Sequence, residues 1–263
     1  MSQAVSTSDE RHAGVARMET LRPFASDAPS LVCSNVTKVF ASTGKGIFDI
    51  LLTVGPGTAY ALAGANGAGK TTLISVCLGY LIPDKGEARI CGIDVRHEPV
   101  AAKAKVAYVP EVTRLYPHLS GDQNVQFFEG LMGRKRASSE IAAVAEQVGF
   151  PPERLADLVG IYSKGMRQKL AIAIGLLKGA DLFLLDEPTA GLDPKASLDL
   201  ARTVRNLCAA GKAVLFSSHD VNSIGITADR VGVLREGRLV LEESASSFAS
   251  RSMTDICELL AYA

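Results

Sequence analysis

The chain has 263 residues, 47% hydrophobic and 21% charged, enough to bury a sizeable core without help from disulfides or metals. Lysine plus arginine total 28 and aspartate plus glutamate total 28, and a net charge of zero argues against a nucleic-acid partner, which usually selects a basic excess. No close cysteine pair, no His-Glu-x-x-His spacing and no apolar run near the roughly 18 residues of a membrane span is present, which excludes a disulfide scaffold, a zinc enzyme of that type and an integral membrane protein.

Residues 1–30 are rich in Ser, Ala and charge, lack hydrophobic periodicity and carry no signal-peptide pattern, so they read as a flexible leader. Short β-rich runs follow at Leu31 to Phe40, Ile47 to Val54 and Thr58 to Ala63, the last two divided by the turn Gly55-Pro56-Gly57. A glycine-rich loop leads into a helical run, Lys70 to Leu81, and further strands are expected at Gly86 to Gly92 and Lys105 to Val109. Ile141, Val144, Ala145 and Val148 recur at helical spacing with Ser138 and Ser139 as candidate N-caps, marking a helical insertion. A helix from about Ser163, a buried strand Leu182 to Leu185, a helix through Leu207 and a strand Ala213 to Ser217 come next, with Gly211 where a helix C-cap glycine belongs. Val231 to Leu241 reads as a hairpin around Glu236-Gly237.

Two local patterns carry chemistry. Gly64, Ala65, Asn66, Gly67, Ala68, Gly69, Lys70 and Thr71 fit G-x-x-x-x-G-K-[ST], followed by Thr72. Glycines there let backbone N–H groups turn inward to cradle phosphates, and the helix that starts at the loop adds its positive end. Lys70 is expected to reach the β- and γ-phosphates and the Thr71 hydroxyl to ligate Mg²⁺. The apolar run Leu182 to Leu185 ends in Asp186-Glu187-Pro188. An acid at such a strand end can hold the metal opposite the loop hydroxyl, which assigns Asp186 to Mg²⁺ and leaves Glu187 as candidate general base toward an attacking water. Taken alone, the run could be an ordinary buried strand with capping acids.

These two sites indicate a P-loop NTPase, and the segments between and after them specify the type. Tyr162-Ser163-Lys164-Gly165-Met166-Arg167-Gln168 resembles the signature sequence of ABC ATPases. Ala190-Gly191-Leu192-Asp193 resembles their D-loop, His219 their switch histidine, Glu111 falls at their Q-loop position and Phe40 at their adenine-stacking aromatic. A core aromatic is the competing reading of Phe40, and a solvent-facing side chain that of Glu111. The chain departs from the common family pattern at Ala65 (for Pro), Phe40 (for Tyr), Lys164 and Met166 (for Gly and Gln) and Glu111 (for Gln). A Glu at the Q-loop with a Tyr-Ser-Lys-Gly-Met signature resembles the ATP-binding subunits of ABC-2 type exporters.

The resemblance implies an α/β fold. Its P-loop core would have a RecA-like, mostly parallel sheet, joined by an N-terminal antiparallel β-subdomain and an α-helical subdomain at about 112–178. Residues 31–243 would form the ATP-binding domain and 244–263 a short C-terminal segment. It implies ATP and Mg²⁺ as ligands, catalysis by Glu187, His219 and Lys70, and a metal site of Thr71, Glu111 and Asp186. Ser163, Gly165 and Asp193 would act on the nucleotide of a second ATP-binding subunit, an identical copy by preference and a related chain as the alternative. A separate transmembrane permease would hold the pair on the cytoplasmic face of the membrane, and no nucleic acid would be bound. A soluble ABC ATPase working on DNA or the ribosome is the alternative. One ATPase unit, a short insertion and no net charge weigh against it, and the lack of an Asn-Lys-x-Asp motif weighs against a GTPase.

Overall fold

The computed structural model describes residues 28–260, so the leader read at 1–30 lies outside the described residues as far as residue 27. Ser30 already belongs to the folded unit. It is buried, its N–H donates to Val54 O and its carbonyl accepts from Cys91 N. The chain then runs β1 (Leu31–Val39), β2 (Gly46–Val54), β3 (Ala59–Ala63), α1 (Lys70–Cys77), β4 (Lys85–Ile90), β5 (Ile93–Asp94), α2 (Pro99–Ala104) and β6 (Val106–Val109). The helical segment holds α3 (Gly121–Leu131), α4 (Ser138–Gln147), two 3-10 turns and α5 (Lys164–Lys178). After it come β7 (Leu182–Leu185), α6 (Pro194–Ala209), β8 (Ala213–Ser218), α7 (Val221–Thr227), β9 (Arg230–Arg235), β10 (Arg238–Ser244), α8 (Ala245–Ala249) and α9 (Met253–Leu260).

Two sheets result. The smaller is antiparallel, in the order β2-β1-β4-β5. The larger runs β10-β9-β3-β8-β7-β6, and every neighbouring pair is parallel except β9 with β10. Its inner strands are apolar without alternation because both faces are covered, as parallel sheets require. Successive residues divide between two cores. Ala59, Ala61, Phe183, Leu185, Val214 and Phe216 face the helices α5 and α6. Tyr60, Leu62, Leu182, Leu184, Ala213 and Leu215 share the second core with Leu73 and Ile74 of α1 and with the antiparallel sheet. Gly175 lets α5 lie close on this sheet, since a Cβ there would stand 2.5 Å from Ala107 Cβ and 2.8 Å from the Phe183 ring.

The structure corrects several expectations. α1 stops at Cys77 rather than Leu81, because Gly79 turns left-handed at φ +66° and the N–H groups of Tyr80 and Leu81 bond back to Ser75 O. The N-cap of α4 is Ala137, not Ser138 or Ser139; the Glu140 carboxylate reaches back to accept the Ala137 N–H at 2.9 Å and closes the turn one residue earlier. Sequence reading missed β5, α2, α7, α8 and α9. The segment from Ser244 onward is no loose appendage, for Phe248 and Ile256 are buried in the main core. All five cysteines are free. Among the described residues no helix is long and apolar enough to cross a membrane.

The helical segment is anchored by a buried charge. Glu129 of α3 is 0% exposed, and Arg136 meets it at 2.8 Å while also donating to Leu177 O at the end of α5. Removing one member of such a pair strands the other in low dielectric. Arg136→Met is expected to destabilise the chain by about 3–5 kcal/mol, and Glu129→Gln beside it to recover part of that loss, both read by chemical denaturation.

Candidate active site

β3, β8 and β7 are parallel neighbours, so the loops that leave them emerge together at one edge of the sheet. The loop after β3 is the glycine-rich one. A Cβ on Gly64 would lie 2.4 Å from Leu234 O, and one on Gly69, at φ +110°, 2.7 Å from the Ile47 side chain. Gly67, at φ +84°, borders open space instead. Only glycine satisfies the first two crowded approaches, and the loop's concave side stays clear. α1 begins at Lys70 with no side chain capping its first turn, so its leading N–H groups remain free to donate to a ligand. Thr72 is half-buried in that turn.

Lys70 is buried and its Nζ bridges three oxygens, Gly64 O at 2.6 Å, Ala65 O at 3.1 Å and Glu187 Oε1 at 3.1 Å. Thr71 Oγ1 donates to Asp186 Oδ2 at 3.1 Å. Ser217, at the end of β8, lies between the two acids: its hydroxyl donates to Asp186 Oδ1 at 2.7 Å and accepts the Glu187 N–H at 2.7 Å. Glu187 sits in the left-handed region at φ 44°, a costly place for a residue with a Cβ and one that such sites favour. Its other oxygen, Oε2, pairs with His219 Nδ1 at 2.9 Å. Lys70, Glu187 and His219 thus form one chain of contacts, and Thr71, Asp186 and Ser217 a second beside it. Ser217 was not singled out from sequence; a hydroxyl at the end of the strand between the two site strands is the signal that could have found it.

Burial and the Asp186 charge push the Tyr108 phenol up to about 12, so it stays neutral beside that acid. Among the described residues no group of three or more His, Cys, Asp or Glu could hold a metal. One hydroxyl and one carboxylate are what a Mg²⁺ shared with substrate phosphates needs from the protein, so Thr71 and Asp186 fit that ion. Glu111 is exposed after β6 and makes no ion pair among the described residues; it and Asp186 line the same groove of about 830 Å³. Phe40 is 37% exposed in the turn between β1 and β2, not in the core. A cavity of about 440 Å³ beside Asn66 and Gly67 is lined by Phe48, under the Arg238 guanidinium, rather than by Phe40.

The remaining site residues form a separate group. Ser163 caps α5, its hydroxyl oxygen accepting the Met166 N–H, which leaves the hydroxyl proton free to donate. Asp193 caps α6 through the Ala196 N–H at 2.8 Å. Gly165 faces Leu192 and Ala196. No hydrogen bond or ion pair joins Ser163, Gly165 or Asp193 to the glycine-rich loop among the described residues.

Residues 47–190 match the family model described as ABC transporter. The linearmycin resistance ATP-binding protein LnrL of Bacillus subtilis is 32% identical over 206 residues, which cover 78% of this chain and 63% of that protein. The matched part therefore spans less than two thirds of that relative's length. The daunorubicin/doxorubicin resistance ATP-binding protein DrrA of Streptomyces peucetius is 32% identical over 228 residues, covering 86% of this chain and 68% of that protein. A solved ATP-binding subunit of an ABC transporter superimposes with a TM-score of 0.74 at 26% identity, covering 87% of this chain and 98% of the other. An ATP-binding cassette of an ABC transporter in its ADP conformation gives 0.79 at 20% identity over 88% and 98%, a likeness of fold.

Ser217→Ala deprives Asp186 of a short hydrogen bond and is expected to weaken Mg²⁺ about ten- to a hundred-fold, as loss of a ligand's supporting partner does. The half-saturating Mg²⁺ concentration for ATP hydrolysis measures it, and an unchanged value would remove Ser217 from the metal's support.

Proposed function

The chain belongs to the ABC transporter family of ATP-binding proteins, and on that premise we propose that it binds and hydrolyses ATP to power a membrane exporter. The observation that carries this reading is the Lys70–Glu187–His219 chain of contacts next to the uncapped start of α1. Loop N–H groups and Lys70 hold the β- and γ-phosphates. Incoming phosphate oxygens compete with Glu187 for the Lys70 ammonium and free the carboxylate for its own task. Glu187 takes a proton from the water whose oxygen attacks the γ-phosphorus, the bond to the ADP oxygen breaks, and His219 orients Glu187 and the water. Thr71 and Asp186, with Glu111 as a further acceptor, would hold a Mg²⁺, which would supply charge neutralisation to the phosphates. The exposed face of Phe40 stacks on the adenine.

Two copies act together. An added Cβ at Gly165 would meet only Ala196 Cβ at 3.8 Å and Leu192 Cδ2 at 3.9 Å, ordinary contacts, so this chain's own fold does not demand glycine there. The requirement comes from outside: the Ser163 hydroxyl and Gly165 N–H, with Asp193 near, approach the γ-phosphate held by a second identical subunit. The groove that carries Glu111, Leu115, Phe128 and Met132, with exposed Tyr116, Phe127 and Leu131 nearby, receives a segment of a separate permease. That partner keeps the subunit at the cytoplasmic face of the membrane. The names of its relatives, which include resistance to daunorubicin and doxorubicin and export of Nod factor, support outward transport. No nucleic acid takes part.

Glu187→Gln is expected to keep ATP binding and lower turnover about 10²–10⁴-fold, the usual worth of a general base. Size-exclusion chromatography with ATP should show a trapped dimer, and a monomer that turns over normally would defeat the assignment. Gly165→Asp sets a carboxylate against the partner's γ-phosphate and should abolish ATPase activity while ATP still binds. Mixed with Lys70→Ala, which has an intact signature and a broken loop, it should regain part of that activity. No regain in the mixture would reject the two-copy site.

A further inference from the structure

Lys164 departs from the glycine common in the family, and it occupies an unfavourable place. It is the first residue of α5, where the helix macrodipole opposes a positive charge. Among the described residues its ammonium donates to Ala190 O, at 2.5 Å. One turn along, the buried Gln168 donates Nε2 to Pro188 O at 2.6 Å. Residues four apart share a helix face, and the two acceptors lie two residues apart on one loop, so a single face of α5 is sewn to that loop at two points. Gly165 lies against Leu192 and Ala196, on the same loop and the start of α6. The loop is wound on itself as well, with Ala190 N–H donating to Glu187 O and Leu192 N–H to Thr189 O. Glu187 stands at its head and Asp193 at its end.

We propose that Lys164 is a positioning residue that ties the start of α5 to the loop from Glu187 to Asp193, so that a displacement of the signature segment is passed to the loop that begins at the glutamate. The inference rests on the reading above, in which Ser163 and Gly165 meet a second subunit's nucleotide. Through the ties, a pull on that segment reaches Glu187 in the same chain. Gln168 is buried and holds the deeper point. Lys164 holds the half-buried outer one, nearer Asp193, where a single long side chain sets whether the loop follows the helix.

The test uses the full chain with Lys164→Met, which keeps the stem and loses the donor, and Lys164→Arg, which restores a donor. Hydrogen exchange of the amides at 189–193 without nucleotide should quicken about tenfold in the methionine variant, the least a hydrogen bond to a charged group is worth, and return with arginine. In steady-state hydrolysis the methionine variant should lose about tenfold in kcat with little change in the KM for ATP, since the phosphate loop is untouched. Arginine should rescue it. Wild-type exchange in Lys164→Met, a loss confined to KM, or a failure of arginine to rescue would overturn the tie. The exchange measurement needs no second subunit, and trapping by Glu187→Gln needs no Lys164, so failure of either proposal is seen separately.

Discussion

The structure depends on the order of three parallel strands, β3-β8-β7, buried on both faces. Because they are parallel, their outgoing ends share one edge. Because they are mostly apolar, the polar side chains gather at or just beyond that edge. Register does the rest. Ala63 pairs with Ser218 and Leu185 with Phe216, which brings the glycine-rich loop, the two acids and the Ser217 hydroxyl side by side. β8 is the middle strand, and its penultimate residue, Ser217, reaches Asp186 and the Glu187 backbone together.

That edge concentrates charge in a way the interior tolerates only through pairing. Lys70, Asp186 and Glu187 are two carboxylates against one ammonium, all largely shielded from water, and buried ions are retained only where each finds partners. Lys70 spreads its donors over two loop carbonyls and Glu187, Asp186 accepts from two hydroxyls, and Glu187 leans on His219. The set is short of positive charge. A divalent cation beside Asp186 would correct that, and phosphate oxygens would take the place of the carbonyls and the glutamate around Lys70. The neutral Tyr108 adds no further negative charge.

What could be read from sequence was whatever is encoded locally. The glycine-rich loop, the apolar run 182–185, the Ser163 cap and the turn at Glu236-Gly237 each declare themselves within a few residues, and the elements formed there. The end of α1 was misread because Leu78 and Leu81 continue an apolar pattern while Gly79 decides the backbone. Ala137 was overlooked as a cap because the capping group is the carboxylate of Glu140 three residues on. The bonds of Ser217 and Lys164 were harder to see for a different reason. Their partners lie 31 and 26 residues away in sequence, so only knowledge of which strands and loops are neighbours points to them. Phe40 shows the limit from the other side: its spacing allowed both a core and a stacking role, and its exposure removes only the first.

The two groups of site residues are organised differently, and the difference bears on how they work. The phosphate loop, the acids and His219 are bonded to one another directly. Ser163, Gly165 and Asp193 sit at helix starts and, among the described residues, make no hydrogen bond to the glycine-rich loop. In the proposed reading, a helix start with a free hydroxyl proton and an N–H would be an anion site with no anion supplied from within the chain. The glycine-rich loop would hold a γ-phosphate open on its outer side. Each surface lacks what the other provides, so in the proposed pair two identical copies related by a two-fold axis satisfy both deficits twice. A closure of that kind would reach Glu187 through any join between the helix start and the acid's loop, and the bonds from Lys164 and Gln168 to Ala190 and Pro188 are such a join.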